Sequence, residues 1–210
     1  MSDLKTARQF SALDQMRSRL EAQREKKQQE GRARNEKLYT DTLLGSFPGE
    51  PSLALAVSTV RSRVAGTASF HPELVDAMMV CSAGRRSREL ASLTPHHQPL
   101  PPGQIGPALE RFIDWTNGEA FAELHPIEQT SLTQARLLEI APFARLNVPL
   151  AGVMSLYWLL RAGLVFPLWP HPQPGKYEEY LDAAFCLEMQ PLVDYILRGE
   201  REALRELVGE

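Results

Sequence analysis

The chain has 210 residues, 43% of them hydrophobic, with 23 basic and 26 acidic side chains and a net charge of −3. That length suits one core-bearing domain with an appendage. A pI near 6.0 with no basic excess argues against a nucleic-acid binder, and the partners expected are one or more proteins. Cys81 and Cys186 lie far apart, which suits a reducing compartment and implies no disulfide. The first residues are polar and carry no leader pattern, so a cytoplasmic location is expected. The five histidines show no metal-ligand spacing, and no cofactor is expected; adjacent His96 and His97 read as a loop or surface pair.

Residues 1–45 read as one N-terminal helical arm, and residues 46–210 as the main domain. Leu4, Phe10, Leu13, Met16 and Leu20 form an apolar stripe at helical spacing. Residues 21–37 are dominated by Glu, Lys, Arg and Gln, and Gly31 weakens the helix there by about 1 kcal/mol relative to alanine. A charged middle of this kind predicts a solvated arm held by i,i+4 pairs. Its apolar residues Phe10, Leu13, Met16 and Leu20 then become the expected partner-binding surface. The arm carries +3 and the remainder −6, which favours an arm docked on its own body or on an acidic partner.

Residues 46–52 contain Pro48, Gly49 and Pro51 and read as a turn. Helices are predicted over residues 53–64 and from Pro72 onward, where a proline suits the first turn. Residues 82–88 are polar and basic, and residues 92–107 are proline-rich and irregular. Three core helices follow, at about 105–116, 127–140 and 150–162. The apolar run 148–160 is shorter than the ~20 residues of a membrane span, and Arg161, Gly163 and Pro167 end it, so it reads as a buried central helix with no membrane span. A proline-punctuated connection, 165–174, carries Leu168 and Trp169, read as core or as a second partner surface. Helices over 176–189 and 191–208 close an all-α chain.

The segment Ile140-Ala141-Pro142-Phe143-Ala144-Arg145-Leu146-Asn147-Val148-Pro149 resembles the motif loop of the Fic family, H-P-F-x-D/E-G-N-G/K-R. The likeness extends over residues 101–197. Pro101 and Pro102 precede a helix with Phe112-Ile113-Asp114-Trp115-Thr116-Asn117 that is similar to the family's. Leu124-His125-Pro126-Ile127-Glu128 matches the start of the helix before the loop. Met154 to Gly163 matches the helix after it, and Tyr177 to Leu197 the closing segment. Upstream, Ser62-Arg63-Val64-Ala65-Gly66-Thr67 resembles an S-x-I-E-G segment whose glutamate restrains nucleotide binding in some members; Ala65 stands at that position.

The resemblance implies a Fic-like helical bundle and transfer of AMP or related phosphoryl groups onto proteins. In that family the histidine is the base, the acid helps hold magnesium, the glycines cradle phosphate and the arginine clamps it. Here those positions hold Ala141, Arg145, Leu146, Val148 and Pro149, while Pro142, Phe143 and Asn147 match. Alanine offers no titratable group, an arginine repels a divalent cation, Cβ atoms crowd a backbone nest, and proline deletes an N–H. The expectation is therefore a degenerate Fic-like pseudoenzyme: not an enzyme, but an adaptor or subunit of a larger assembly. Two alternatives stay open. One is a diverged nucleotidyl or phosphoryl transferase, with His125 as its nearby histidine or Arg145 gripping phosphate in a new way. The other is an antitoxin-like regulator of an active Fic protein.

Overall fold

The computed structural model describes residues 2–23, 25–64, 70, 72–168 and 175–209. Its elements are α1 (Ser2–Glu21), α2 (Glu25–Ser46), α3 (Ser52–Val64), α4 (Pro72–Cys81), α5 (Ile105–Thr116), α6 (Glu119–Ala122), α7 (Pro126–Ile140), α8 (Asn147–Arg161), α9 (Lys176–Phe185) and α10 (Gln190–Val208). A 3-10 turn, Pro102–Gln104, leads into α5. The fold is all-α, as expected. Residues 65–69, Ala65 among them, and Trp169 lie outside the described residues; the Leu4 side chain is likewise not described.

Helix α8 is the axis of the bundle. It is apolar on nearly every side, and such a helix is stable only when surrounded. It packs against α7, α3 and α4, and Leu150, Val153, Met154 and Leu159 are fully buried. Beside it Phe70 meets Phe112, Tyr157 and Trp158 with ring centroids 5.4–5.6 Å apart. Trp158 satisfies its buried N–H by donating to the Thr133 hydroxyl on α7, at 2.8 Å. The Phe70 backbone is held by one side chain at the end of α5. Asn117 accepts from Phe70 N at 2.9 Å and donates to Phe70 O at 3.0 Å.

The described residues of the first 45 form two helices that dock on the body of the chain. Helix α1 ends at Glu21 and packs on α10, while α2 starts at Glu25 and packs on α3 and α10. Leu13, Met16 and Leu20 are buried in the common core, and Phe10 stacks on His125 with centroids 3.9 Å apart. In this conformation Leu13, Met16 and Leu20 hold the chain to itself, while Phe10 stays partly exposed. The charged middle escapes isolation because its long side chains reach backbone carbonyls left over by other elements. Arg17 donates to Ala162 O, and Arg32 donates to Gly163 O and Leu164 O, so the C-terminal end of α8 is capped by cations, the sign its dipole favours. Asn35 is buried, accepting from Phe166 N and donating to Phe166 O, both at 2.9 Å. Gly31 lies where α2 meets α10: a Cβ there would stand 3.1 Å from Leu207 Cδ2.

The connection after α8 also meets a buried acid. Glu200 on α10 is fully buried and accepts from Val165 N at 2.8 Å. Burial pushes its pKa up to about 8, against the Val165 hydrogen bond and the Arg32 charge. Leu168 is partly buried, packs against the core and donates its N–H to Gly199 O.

Candidate functional site

Helix α7 ends at Ala141, whose backbone is left-handed (φ 44°) and whose N–H closes on Leu137 O at 2.8 Å. The chain then passes through Pro142, Phe143, Ala144 and Arg145 and enters α8 at Leu146, again left-handed (φ 61°). A non-glycine residue in that region costs about 1 kcal/mol or more. Leu146 stands where the family motif has a glycine, so the loop takes a backbone turn that glycine favours while carrying a Cβ. Pro149 lies in the first turn of α8, where a missing N–H leaves no intrahelical bond unmade.

Asn147 fixes the loop. Its side chain accepts from Phe143 N at 2.9 Å and donates to Phe143 O at 2.8 Å, and Phe143 itself is fully buried. The loop is also held from outside by residues 82–88. Arg86 N donates to Pro142 O at 2.8 Å, Ala144 N donates to Gly84 O at 2.9 Å, and Arg85 forms an isolated antiparallel bridge with Phe143. Ala83 and Gly84, both at positive φ, aim this segment at the loop.

Arg86 is the buried cation of the site. Its guanidinium donates to Ala141 O at 2.7 Å, Ile140 O at 3.3 Å and Arg88 O at 2.9 Å, and to Leu100 O. It therefore caps the C-terminal end of α7 and ties it to the proline-rich segment. Burial lowers its pKa, opposed by Glu89. Nothing in the sequence pattern marked Arg86, because its partners are backbone carbonyls on distant segments. Arg145 is half-exposed and ion-paired with Glu50, in the turn between α2 and α3.

The histidines stand elsewhere. His125 caps the start of α7, about 22 Å from the loop at 1.5 Å per residue. Its Nδ1 accepts from Ile127 N at 3.2 Å, and Glu128 accepts from His125 N at 3.0 Å. Burial depresses its pKa, with Asp14 opposing and Arg17 adding to the shift. His125 therefore does not reach the loop as an acid or base. His97 is buried rather than on the surface, accepting from Leu93 N and bonded to Leu138 O. His96 pairs with Asp182 at 2.8 Å. Among the described residues no group of three or more His, Cys, Asp or Glu side chains is placed to hold a metal ion, and no helix is long and apolar enough to cross a membrane.

No family profile matches the chain. Over 100 residues it is 32% identical to the protein adenylyltransferase Fic of Drosophila willistoni and 31% to that of Drosophila virilis, covering 48% of this chain. It spans about a fifth of the length of these curated relatives. Fic-1 from C. elegans superposes with a TM-score of 0.78 at 16% identity, over 99% of this chain and 73% of that one. A Fic-domain signaling protein from Bacteroides thetaiotaomicron gives 0.71 at 15% identity, over 96% and 97% of the two chains. These relatives correct the expectation that the chain is not an enzyme, since the curated ones are named as adenylyltransferases, an enzyme family. The chain therefore has the all-α fold of Fic-domain proteins, and over 100 residues its sequence is similar to that of curated Fic adenylyltransferases.

Proposed function

We propose that this Fic-like chain works through protein–protein interaction, as an adaptor or subunit of a larger assembly. The observation that carries this reading is how the motif loop is bonded. Asn147 engages Phe143, the 82–88 segment engages Pro142 and Ala144, and Arg145 engages Glu50. The loop is thereby built as a folded platform. Leu55 on α3 and Val80 on α4 are large apolar side chains 54% and 76% exposed, and a partner would remove them from water. The test is light scattering of the protein purified natively from its host. A complex of fixed stoichiometry, lost in Leu55→Glu or Val80→Glu but not in a Gln15→Glu control, supports the reading. A monomer throughout counts against it.

A second reading is a diverged nucleotidyl or phosphoryl transferase, favoured by the adenylyltransferase relatives and by Arg145, a half-exposed cation beside the start of α8. Saturable ATP binding by calorimetry, lost in Arg145→Ala, together with transfer of label from ATP to a protein, would establish it. No binding with or without magnesium would remove it.

A further inference from the structure

A cleft of about 360 Å³ opens between α2, α3 and the connection that follows α8. It lies toward the C-terminal end of α8, about 20 Å along that helix from the motif loop. Its apolar walls are Val64 from α3, Leu160 from α8, and Val165 and Phe166 from the connection. Arg32 and Asn35 hold that connection by hydrogen bonds to Gly163, Leu164 and Phe166, so the wall is fixed before anything enters. A pre-formed, mostly apolar concavity with a few polar groups at its edge is the usual form of a small-ligand site, and this one is at the small end of the range.

The charge at the cleft selects the ligand. Arg32 and Glu36 come from α2 and Arg61 from α3; the connection and α8 contribute no charged lining residue. Glu21 and Glu200 both act on the Arg32 guanidinium, and Glu36 pairs with Arg61, so Arg61 at the mouth is the cation open to an entering anion. Burial raises the pKa of Glu200, behind Arg32, to about 8. Arg61 stands at the mouth with a 63% exposed side chain, joined to Glu36 by a single 2.8 Å contact, while Glu36 is the more covered of the two at 19%. One nitrogen of a planar fork is engaged, and a carboxylate entering from solvent has the remaining donors to meet.

We propose that this cleft binds a small amphipathic monocarboxylate, its apolar body against Val64, Leu160, Val165 and Phe166 and its carboxylate on Arg61 in place of Glu36. The site is separate from the motif loop and does not depend on the function proposed above.

Octanoate is a direct probe, read by calorimetry and by thermal unfolding of the full chain, with octan-1-ol as its uncharged counterpart. Octanoate should bind saturably, one per chain, and octan-1-ol roughly tenfold more weakly. Arg61→Gln, a change on an exposed side chain, should weaken octanoate by roughly tenfold. Glu36→Gln, which removes the competing carboxylate, should tighten it. Leu160→Trp, which fills the cleft, should abolish it, and a circular-dichroism melt shows whether that variant is folded. Three results would overturn the proposal: no saturable octanoate binding, equal affinity for octan-1-ol, or octanoate affinity unchanged in both Arg61→Gln and folded Leu160→Trp.

Discussion

The side-chain amide of Asn147 bonds both backbone groups of Phe143, the N–H at 2.9 Å and the carbonyl at 2.8 Å. An asparagine amide offers one acceptor and two donors in a plane, so it can stand in for a neighbouring strand. Phe143 is fully buried, and its backbone has no water to fall back on. Asn147→Ala should therefore lower stability by about 2–3 kcal/mol, the effect of leaving buried polar groups unpaired. Asn147→Asp should be at least as harmful, because a carboxylate cannot donate to Phe143 O. Urea denaturation of both variants checks this, and a midpoint unchanged in Asn147→Asp would show that the donor half of the pair is dispensable.

Arg86 holds the other side of the same loop through the carbonyls of Ile140, Ala141, Arg88 and Leu100. Removing a buried charged donor leaves several acceptors orphaned at once. Arg86→Met should lower stability by about 3 kcal/mol or more. Arg86→Lys should recover little, since a point charge cannot reproduce a fork. Full recovery by lysine in chemical denaturation would show that charge alone matters there.

Glu200 predicts a pH profile. Its folded pKa of about 8 lies above the ordinary carboxylate value of 4.5. The fold thus favours the protonated acid. The stabilisation is complete below pH 4.5 and is lost as the pH rises toward 8, on the order of a few kcal/mol. Glu200→Gln keeps an acceptor for Val165 N and has no proton to lose. Its stability should stay flat across this window and exceed the parent's at pH 9. Parallel slopes for parent and variant in denaturation at stepped pH would remove Glu200 as the cause.

Leu13 and Leu20 test the role of α1. Both are fully buried, and each truncation to alanine should lower stability by about 2–4 kcal/mol. Gln15→Ala, on the outer side of the helix, should stay within about 0.5 kcal/mol of the parent. Thermal melts separate the two cases. If Leu13→Ala melts with the parent, α1 is not part of the core.

Most of the helices were legible because apolar spacing repeats along them: the predicted 105–116, 127–140 and 150–162 lie close to α5, α7 and α8. The loop at Ala141 to Pro149 was legible only through a motif, since composition does not announce a left-handed Leu146. The N-terminal segment misled for a physical reason. Arg17, Arg32 and Asn35 look like solvated residues in sequence, but they act as caps for backbone groups more than 130 positions away. Hydrophobic periodicity carries no record of such partners. Arg86 escaped notice for the same reason, and His97 looked like a surface residue because burial of a satisfied imidazole leaves no local pattern.

The pairing of an asparagine with both backbone groups of a phenylalanine occurs at Asn35 with Phe166, Asn117 with Phe70 and Asn147 with Phe143. Asparagine side chains age by deamidation, in which the next residue's backbone nitrogen attacks the side-chain carbonyl, and a following glycine leaves that attack unhindered. Asn117 precedes Gly118. In the folded chain the Gly118 N–H is bonded to Trp115 O, and the Asn117 amide is occupied by Phe70. Folding thus shields the amide from its own neighbour. Each opening of this corner exposes it, and the aspartate that results can no longer donate to Phe70 O. The aspartate at position 117 thus accumulates with the age of a preparation, at a rate set by how often that corner opens.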